Sequence, residues 1–412
     1  MDAPGRAVAR LCLAVSALAL AACATVADSS GPTPVLHWYN ATDGADVHAL
    51  AKACSAASDG AYSIDVEPLP ADAVDRHAQL VRTLLTADHD IDLLSLESPL
   101  TAEIAAAGVL APVPGDLVAG FSEDVFPVAL EAATVDDRLV AAPWWFDPYL
   151  LWFRGTLAER AGLDVGKPIS WDALLEGADV AGVTVQVDDP DGHGLADWLN
   201  ALVVGAGGSI LDGGGRDAAV GLDTEAARAA FDVIDQATGK GASGPSADAV
   251  TKFASVDGGF LVAPSSVISD PALLGIAGDL SWAPYPVMGD EPVAPLTGAA
   301  LAVPAAAAHR GLSWDAITCL TSPDSLAALT TISGHSASRA STYDLDAVAK
   351  AYPMAAVTRA AVEHGVALPS SSYWQLVEAG LLEAMTPLAD VHADTTPAAA
   401  QRAVKTLLKG TP

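Results

Sequence analysis

The sequence predicts an α/β protein built on a largely parallel sheet, and three observations lead there. Short β-like runs alternate with helical patterns over most of the chain. At 412 residues with 51% hydrophobic side chains, the chain can bury the cores of about two to three domains. Beyond the first residues there is neither an apolar run of membrane-spanning length nor an internal repeat.

The elements follow in order. Residues 35–39 read as a first strand, followed by a polar turn at 40–44 and an Ala-rich helix through Cys54. A second strand covers 62–67. Leu80, Val81, Leu84 and Leu85 share one face of a helix over 73–87, and residues 91–96 form a buried strand ending at Glu97. A helix over 99–108 leads to a hairpin at 134–143, turned by Asp136-Asp137. Further strands are expected at 182–187, 259–263, 280–286 and 296–303, and helices at 171–178, 194–204, 224–237, 247–254, 314–320, 325–331, 347–351, 355–363 and 373–385.

Charge excludes whole classes of partner. With 20 basic against 51 acidic residues, the net charge of -31 repels nucleic-acid backbones and anionic headgroups, so no nucleic-acid partner is expected. The acidic residues are scattered among apolar ones, which marks the solvated face of a folded protein rather than disorder.

The N-terminus reads as a secretory leader. Arg6 and Arg10 precede a ten-residue apolar stretch at 11–20, too short to span a bilayer, and Leu20-Ala21-Ala22-Cys23 ends on a cysteine. Residues 1–22 are therefore a signal peptide, and the lipobox ending resembles that of bacterial lipoproteins, in which Cys23 would carry lipid. Residues 23–34, rich in Ser, Asp, Gly and Pro, read as a flexible tether. The only membrane contact expected is the Cys23 anchor. Cys12 leaves with the leader, so Cys54 and Cys319 remain as the thiols of a chain facing an oxidising compartment. They either form a disulfide, the favoured reading, or sit as two small buried hydrophobes.

Aromatic residues make up 6% of the chain, yet six of them fall in the ten residues Trp144-Trp145-Phe146-Asp147-Pro148-Tyr149-Leu150-Leu151-Trp152-Phe153. No phosphate loop is present, since Gly205-Ala206-Gly207-Gly208 lacks the Lys-Ser/Thr ending. Asp188-Asp189-Pro190-Asp191-Gly192 is not a calcium loop, because Val187 and Trp198 occupy ligand places. Neither cofactor nor metal is expected.

Nearly all of residues 35–408 resembles the bacterial extracellular solute-binding proteins of ABC sugar importers, the maltose-binding-protein-like family. The likeness rests on the order of Asp92-Leu93-Leu94-Ser95-Leu96-Glu97, Val140-Ala141-Ala142-Pro143, Leu150-Leu151-Trp152-Phe153-Arg154, Ser170-Trp171-Asp172-Ala173-Leu174, Gly258-Gly259-Phe260-Leu261-Val262 and Trp282-Ala283-Pro284-Tyr285-Pro286. A narrower likeness, to mycobacterial trehalose-binding lipoproteins, is carried by Lys52-Ala53-Cys54, Thr318-Cys319-Leu320 and Tyr352-Pro353-Met354, mainly scaffold. The substrate-facing stretches 144–147 and 264–266 depart from it.

The resemblance implies a two-lobed periplasmic-binding-protein fold, each lobe a mainly parallel sheet flanked by helices, with a ligand cleft between lobes. Residues 35–147 plus 295–342 would form one lobe and 148–294 plus 343–408 the other. Cys54 and Cys319 would then both lie in the first lobe, which strengthens their pairing. The implied function is an extracytoplasmic, membrane-anchored monomer, not an enzyme, that binds a small sugar and presents it to the permease of an ABC transporter.

Sugars offer hydroxyls and C–H ring faces, which carboxylates, amides and aromatic rings recognise. The expected contacts are Asn40, Asp43 and Glu97 from the first lobe, Trp144, Trp145, Asp147 and Tyr149 from the hinge cluster, and His193, Tyr373 and Trp374 from the second lobe. Ser265 and Arg339 complete the set. Plainer roles are available: Glu97 as a helix cap, Asn40 and Asp43 as Asx-turn residues, one of Trp144 and Trp145 as core, His193 as an exposed turn. A surface glycoside hydrolase or a non-transport sensor of the same fold are the competing functions.

Overall fold

In chain order the strands are β1 (Val35–Asn40), β2 (Ser63–Pro68), β3 (Leu93–Glu97), β4 (Thr134–Val135), β5 (Arg138–Leu139), β6 (Ala142–Arg154), β7 (Val185–Val187), β8 (Leu211–Asp212), β9 (Ala219–Val220), β10 (Phe260–Pro264), β11 (Leu280–Ala283) and β12 (Leu296–Ala302). They come from a computed structural model that describes residues 32–41, 47–70, 72–189, 192–239, 244–255 and 258–410. The leader at 1–22, most of the tether with Cys23, and Asp43 lie outside the described residues.

The main sheet runs β2-β1-β3-β12-β6-β10-β7, with β11 also on β6. Pairings β1–β2, β1–β3 and β7–β10 are parallel, while β6 and β12 meet their neighbours antiparallel. The 13-residue β6 joins two half-sheets. Its first half, Ala142 to Pro148, pairs with β12, and its second half, Tyr149 to Arg154, is flanked by β10 and β11. The aromatic cluster is thus one continuous strand, buried along all but its last residue, which explains its composition: a strand covered on both faces reads as an unbroken apolar run.

The second half-sheet is covered on both faces by different cores. Along β6, Leu150 and Trp152 face a core containing Trp38, Trp144 and Trp314, whereas Tyr149, Leu151 and Phe153 face one containing Trp171, Trp198 and Trp374. A smaller core lies under helix Ala73–Leu85, where Leu80 and Leu84 meet Leu94, Leu96 and Leu100. Tyr343, Val348, Tyr352, Met354 and Val362 pack in the first core, and the chain after Leu368 packs in the second.

Cys54 on helix Val47–Ala57 and Cys319 on helix Arg310–Leu320 form a disulfide, sulfurs 1.99 Å apart, within the first core. The hairpin turns where expected: β4 pairs β5, and Asp136 and Asp137 both take positive φ (49° and 58°). That is the conformation a two-residue hairpin loop requires. The hairpin β8–β9 and helix Thr396–Lys409 were not anticipated. The strands of the hairpin are two residues long, too short for a period to show, and the helix buries only a narrow stripe that includes Ala400, Val404 and Leu408. Among the described residues no helix is long and apolar enough to cross a membrane.

Candidate functional site

A β-bulge in the first half of β6 sets the geometry. Ala299 of β12 pairs Trp145 and Ala300 pairs Pro143, so Trp144 is the extra residue. Bulges re-aim side chains. Here Trp144 turns into the core, edge-on to Trp38 with centroids 5.3 Å apart, and Trp145 lines a cavity of about 510 Å³. Cavities of about 300–1,000 Å³ hold small organic ligands.

Two residues beyond Trp145, Asp147 is fully buried and faces the same cavity. Its Oδ1 accepts the Ser336 backbone N–H at 2.6 Å, and its Oδ2 lies 2.6 Å from His335 Nδ1. The His335 ring stacks on Trp145, centroids 4.2 Å apart and planes 24° apart. The loop carrying His335 leaves helix Pro323–Ser333 through Gly334, which takes φ 77°, a left-handed helix end that glycine adopts without steric cost. The loop then runs along β6: Ser336 O accepts from Phe146 N, and Ala337 bridges to Trp145.

A hydroxyl network backs the wall. Ser265 Oγ and Ser336 Oγ are 2.7 Å apart and both residues are wholly buried. Burial pushes the Tyr352 phenol above its ordinary pKa, opposed by hydrogen bonds with Ser265, Thr358 and Ser336. Ser265 therefore supports the cavity from behind instead of lining it. Asp188, Thr251, Ser266, Ser269, Asp270, Thr297 and Ser333 line the remaining polar wall.

A second cavity, of about 10 Å³, shares Thr297 with the first. It has room for about one water. Glu97, His193 and Asp197 line it. Glu97 ends β3 and stands at the N-cap of helix Ser98–Ala106 without a side-chain capping bond. Its carboxylate instead pairs with Arg76 at 2.7 Å and lies 4.0 Å from His193 Nε2. His193 Nδ1 is 2.7 Å from Glu378 Oε1 on helix Trp374–Met385. His193 is thus a buried partner in a chain of ionisable groups, not an exposed turn. Gly298 borders this cavity, and a β-carbon there would stand 2.6 Å from the Phe146 ring, so the close approach of the two strands needs glycine.

Of the expected contacts, the structure brings Trp145 and Asp147 to the large cavity and Glu97 and His193 to the small one. The others lie elsewhere. Trp144 is core, as one of the tryptophan pair was expected to be. Tyr149 is buried in the second core, its hydroxyl 3.4 Å from the Asp188 carbonyl. Trp374 is also buried there, on the first turn of a helix whose Val377 and Leu381 share its face. Tyr373 holds the Arg216 guanidinium over its ring at 4.7 Å. Arg339 is corrected most clearly: its guanidinium donates to the carbonyls of Thr321, Glu123 and Gly120 at 3.1, 2.6 and 2.6 Å. Asn40 is buried at the end of β1, and its Oδ1 has no hydrogen-bond partner among the described residues.

Sequence reasoning missed His335, Asp188, Asp270, Arg76 and Glu378. Glu378 lies four residues after Trp374, so helical spacing places the two on one face. His335 sits just past a Ser-Gly helix end, a position that carries no chemical signal of its own.

Known structures share this architecture. The maltose-bound MalE3 of T. maritima is 22% identical, with a TM-score of 0.76 over 91% of this chain and 99% of its own. The GacH receptor of Streptomyces glaucescens, described unliganded and with acarbose, is 21% identical, with a TM-score of 0.77 over 92% and 100%. UgpB from Mycobacterium tuberculosis, in complex with glycerophosphocholine, is 20% identical, with a TM-score of 0.75 over 92% and 99%. The fold is that of the two-lobed periplasmic binding proteins. A family model, the bacterial extracellular solute-binding protein, matches residues 49–357 of the 412, and the chain belongs to that family.

Proposed function

We propose that this chain is the carbohydrate receptor of an ABC importer and binds a sugar of about disaccharide size in the large cavity. The observation that carries the reading is the stacked Trp145–His335 pair beside a fully buried Asp147 in a space of about 510 Å³. An aromatic wall packs against C–H ring faces, and a carboxylate held by a backbone N–H and an imidazole accepts sugar hydroxyls without reorganising.

In this reading β6 is the crossing between lobes. The lobes in this reading are 35–147 plus 295–342 and 148–294 plus 343–408. Ligand binding shifts a hinge equilibrium toward the closed form that the permease recognises. Lipid on Cys23 anchors a monomer outside the cytoplasm, and the chain performs no chemistry on its ligand. Trehalose or a related glucoside is the first ligand to try, and the maltose and acarbose complexes of the structural neighbours support a saccharide.

Calorimetric titration of the full chain with trehalose, maltose and related disaccharides tests this. Saturable binding with the sugar recovered intact is expected, and Asp147→Asn weakens it by about tenfold or more, as loss of a charge-assisted hydrogen bond does. No binding to any sugar, or cleavage of a glycosidic bond, overturns the reading.

A further inference from the structure

Two segments supply most of the polar residues lining the large cavity. One follows β10, where the turn Ser265–Ser269 contributes Ser266 and Ser269 and Asp270 comes next. The other is the end of helix Pro323–Ser333 and the loop after it, which contribute Ser333 and His335. The two approach closely at Gly334, where a β-carbon would stand 2.8 Å from Ile268 Cγ2 and 3.1 Å from the Ser266 carbonyl oxygen.

Behind the wall the same two segments are joined by hydroxyls. Ser265 Oγ and Ser336 Oγ are 2.7 Å apart, and the Tyr352 phenol bonds to both and lies 3.3 Å from Thr358 Oγ1. All four residues are buried, so bulk water does not replace a bond lost here.

Ser336 is the hub of this cluster. Its N–H donates to Asp147 Oδ1 at 2.6 Å, and its carbonyl accepts from the Phe146 N–H at 2.9 Å. One residue therefore meets the Ser265–Tyr352 pair through its hydroxyl and, through its N–H, the carboxylate that also holds His335. A rotation of Ser336 alters both ends. Ser265 itself is fixed beside the middle of β6, since the residue before it, Pro264, pairs with Tyr149.

We propose that Ser265 and Tyr352 are positioning residues of the ligand site: acting through Ser336, they set the alignment of Asp147 and His335. This rests on the reading of the cavity as a carbohydrate site. In that reading Ser265 and Tyr352 belong to one lobe and Ser336 to the other, so the cluster ties the lobes beside their crossing, where a hinge motion displaces atoms least.

Ser265→Ala and Tyr352→Phe each remove one hydroxyl, and phenylalanine keeps the ring that packs in the first core. Two measurements on the full chain separate position from stability. In the ligand-free protein carrying isotope-labelled histidine, the His335 imidazole resonances are assigned by their loss in His335→Gln. Both variants shift them, whereas replacing Cys54 and Cys319 by serine, which removes no bond of this cluster, leaves them in place. Calorimetry with maltose, trehalose and related disaccharides follows. For a sugar that binds, each variant lowers affinity by about threefold or more. The double variant falls short of the product of the single losses by about twofold or more, because both act through Ser336. Unmoved His335 resonances, or affinity losses that simply multiply, overturn the inference, as does a loss of stability with affinity unchanged. Shifted resonances with no sugar bound overturn the saccharide reading and leave the positioning of Asp147 and His335 standing.

Discussion

Asp147, fully buried, and Glu97, with 12% of its side chain exposed, are carboxylates beside adjoining cavities, and the fold satisfies them in opposite ways. Asp147 takes both partners from residues 335–336, a loop laid along β6 in the first half-sheet. Glu97 is held by Arg76 and lies 4.0 Å from His193, which belongs to the helices of the second core and is itself tied to Glu378. The Asp147 assembly is complete within one half of the molecule, whereas the Glu97 chain reaches across. Any motion that parts the halves breaks the Glu97–His193 approach and leaves Asp147, His335 and Trp145 in place. In the reading proposed above, the carboxylate that meets the ligand is held within one half-sheet, and the approach of Glu97 to His193 changes when the lobes part.

The largest effect expected from breaking this contrast is on the spanning chain. Arg76→Met leaves the largely buried Glu97 without its closest cation, and loss of one member of a buried pair costs about 3 kcal/mol, the lower end of the range because Glu97 keeps some contact with solvent. Urea denaturation of the variant measures it. Adding Glu97→Gln recovers most of the loss if the cost comes from the stranded charge; no recovery means that Arg76 acts through its other contacts.

The disulfide comes next and lies wholly on one side of the comparison. Cys54 and Cys319 are 265 residues apart in sequence and both belong to the first core. Replacing both by serine removes a cross-link that closes a long loop, worth about 2–4 kcal/mol. Because the bridge does not cross between the cores, sugar affinity is expected to stay within about twofold while stability falls, a change too small to register as a lost contact. A parallel loss of affinity would show that the first half-sheet needs the staple to hold the site.

Asp147→Ala comes third in stability and first in affinity. It leaves the Ser336 N–H and the His335 imidazole buried without their acceptor, at about 1–3 kcal/mol for the unsatisfied donors. Thermal denaturation with and without sugar separates the two effects: the variant loses the ligand-induced rise in Tm, whereas Arg76→Met keeps part of it.

What was legible in the sequence follows from how local each feature is. Glu97 could be picked out because a buried strand ends on it, and Trp145 and Asp147 because they sit in a dense aromatic run. His335 could not, since its role exists only through Asp147, 188 residues away. Trp374 and Arg339 were chosen for their chemistry, and packing assigned them otherwise. An indole on the first turn of a helix was better buried against Val377 and Leu381. A guanidinium beside three free carbonyls became a clamp. The fold class was more legible than the site because period and alternation are local, while a site is made of meetings between distant segments.

Arg339 gives the last and smallest test. Residues 335–339 are pinned at one end by Asp147 and at the other by the bonds from Arg339 to Thr321, Glu123 and Gly120. Lysine cannot reproduce the planar fork, so Arg339→Lys loosens the far end at about 1 kcal/mol. His335 shifts with it, and sugar affinity falls by a few fold through the Trp145 stack. The neighbouring Asp124 adds a pH signature. Burial pushes its carboxyl up, but hydrogen bonds from Ser341 and the charges of Arg339 and Arg359 outweigh this and hold it below its ordinary value. A carboxyl lowered in the folded state contributes stability above its unfolded pKa, and that contribution is lost as pH falls through the folded one. Asp124→Asn should therefore flatten the acid limb of a stability–pH curve below about pH 4, the ordinary aspartate range, and leave it unchanged at neutral pH apart from a constant offset. An unchanged acid limb would mean that Asp124 does not anchor this end of the loop, and that Arg339 alone holds it.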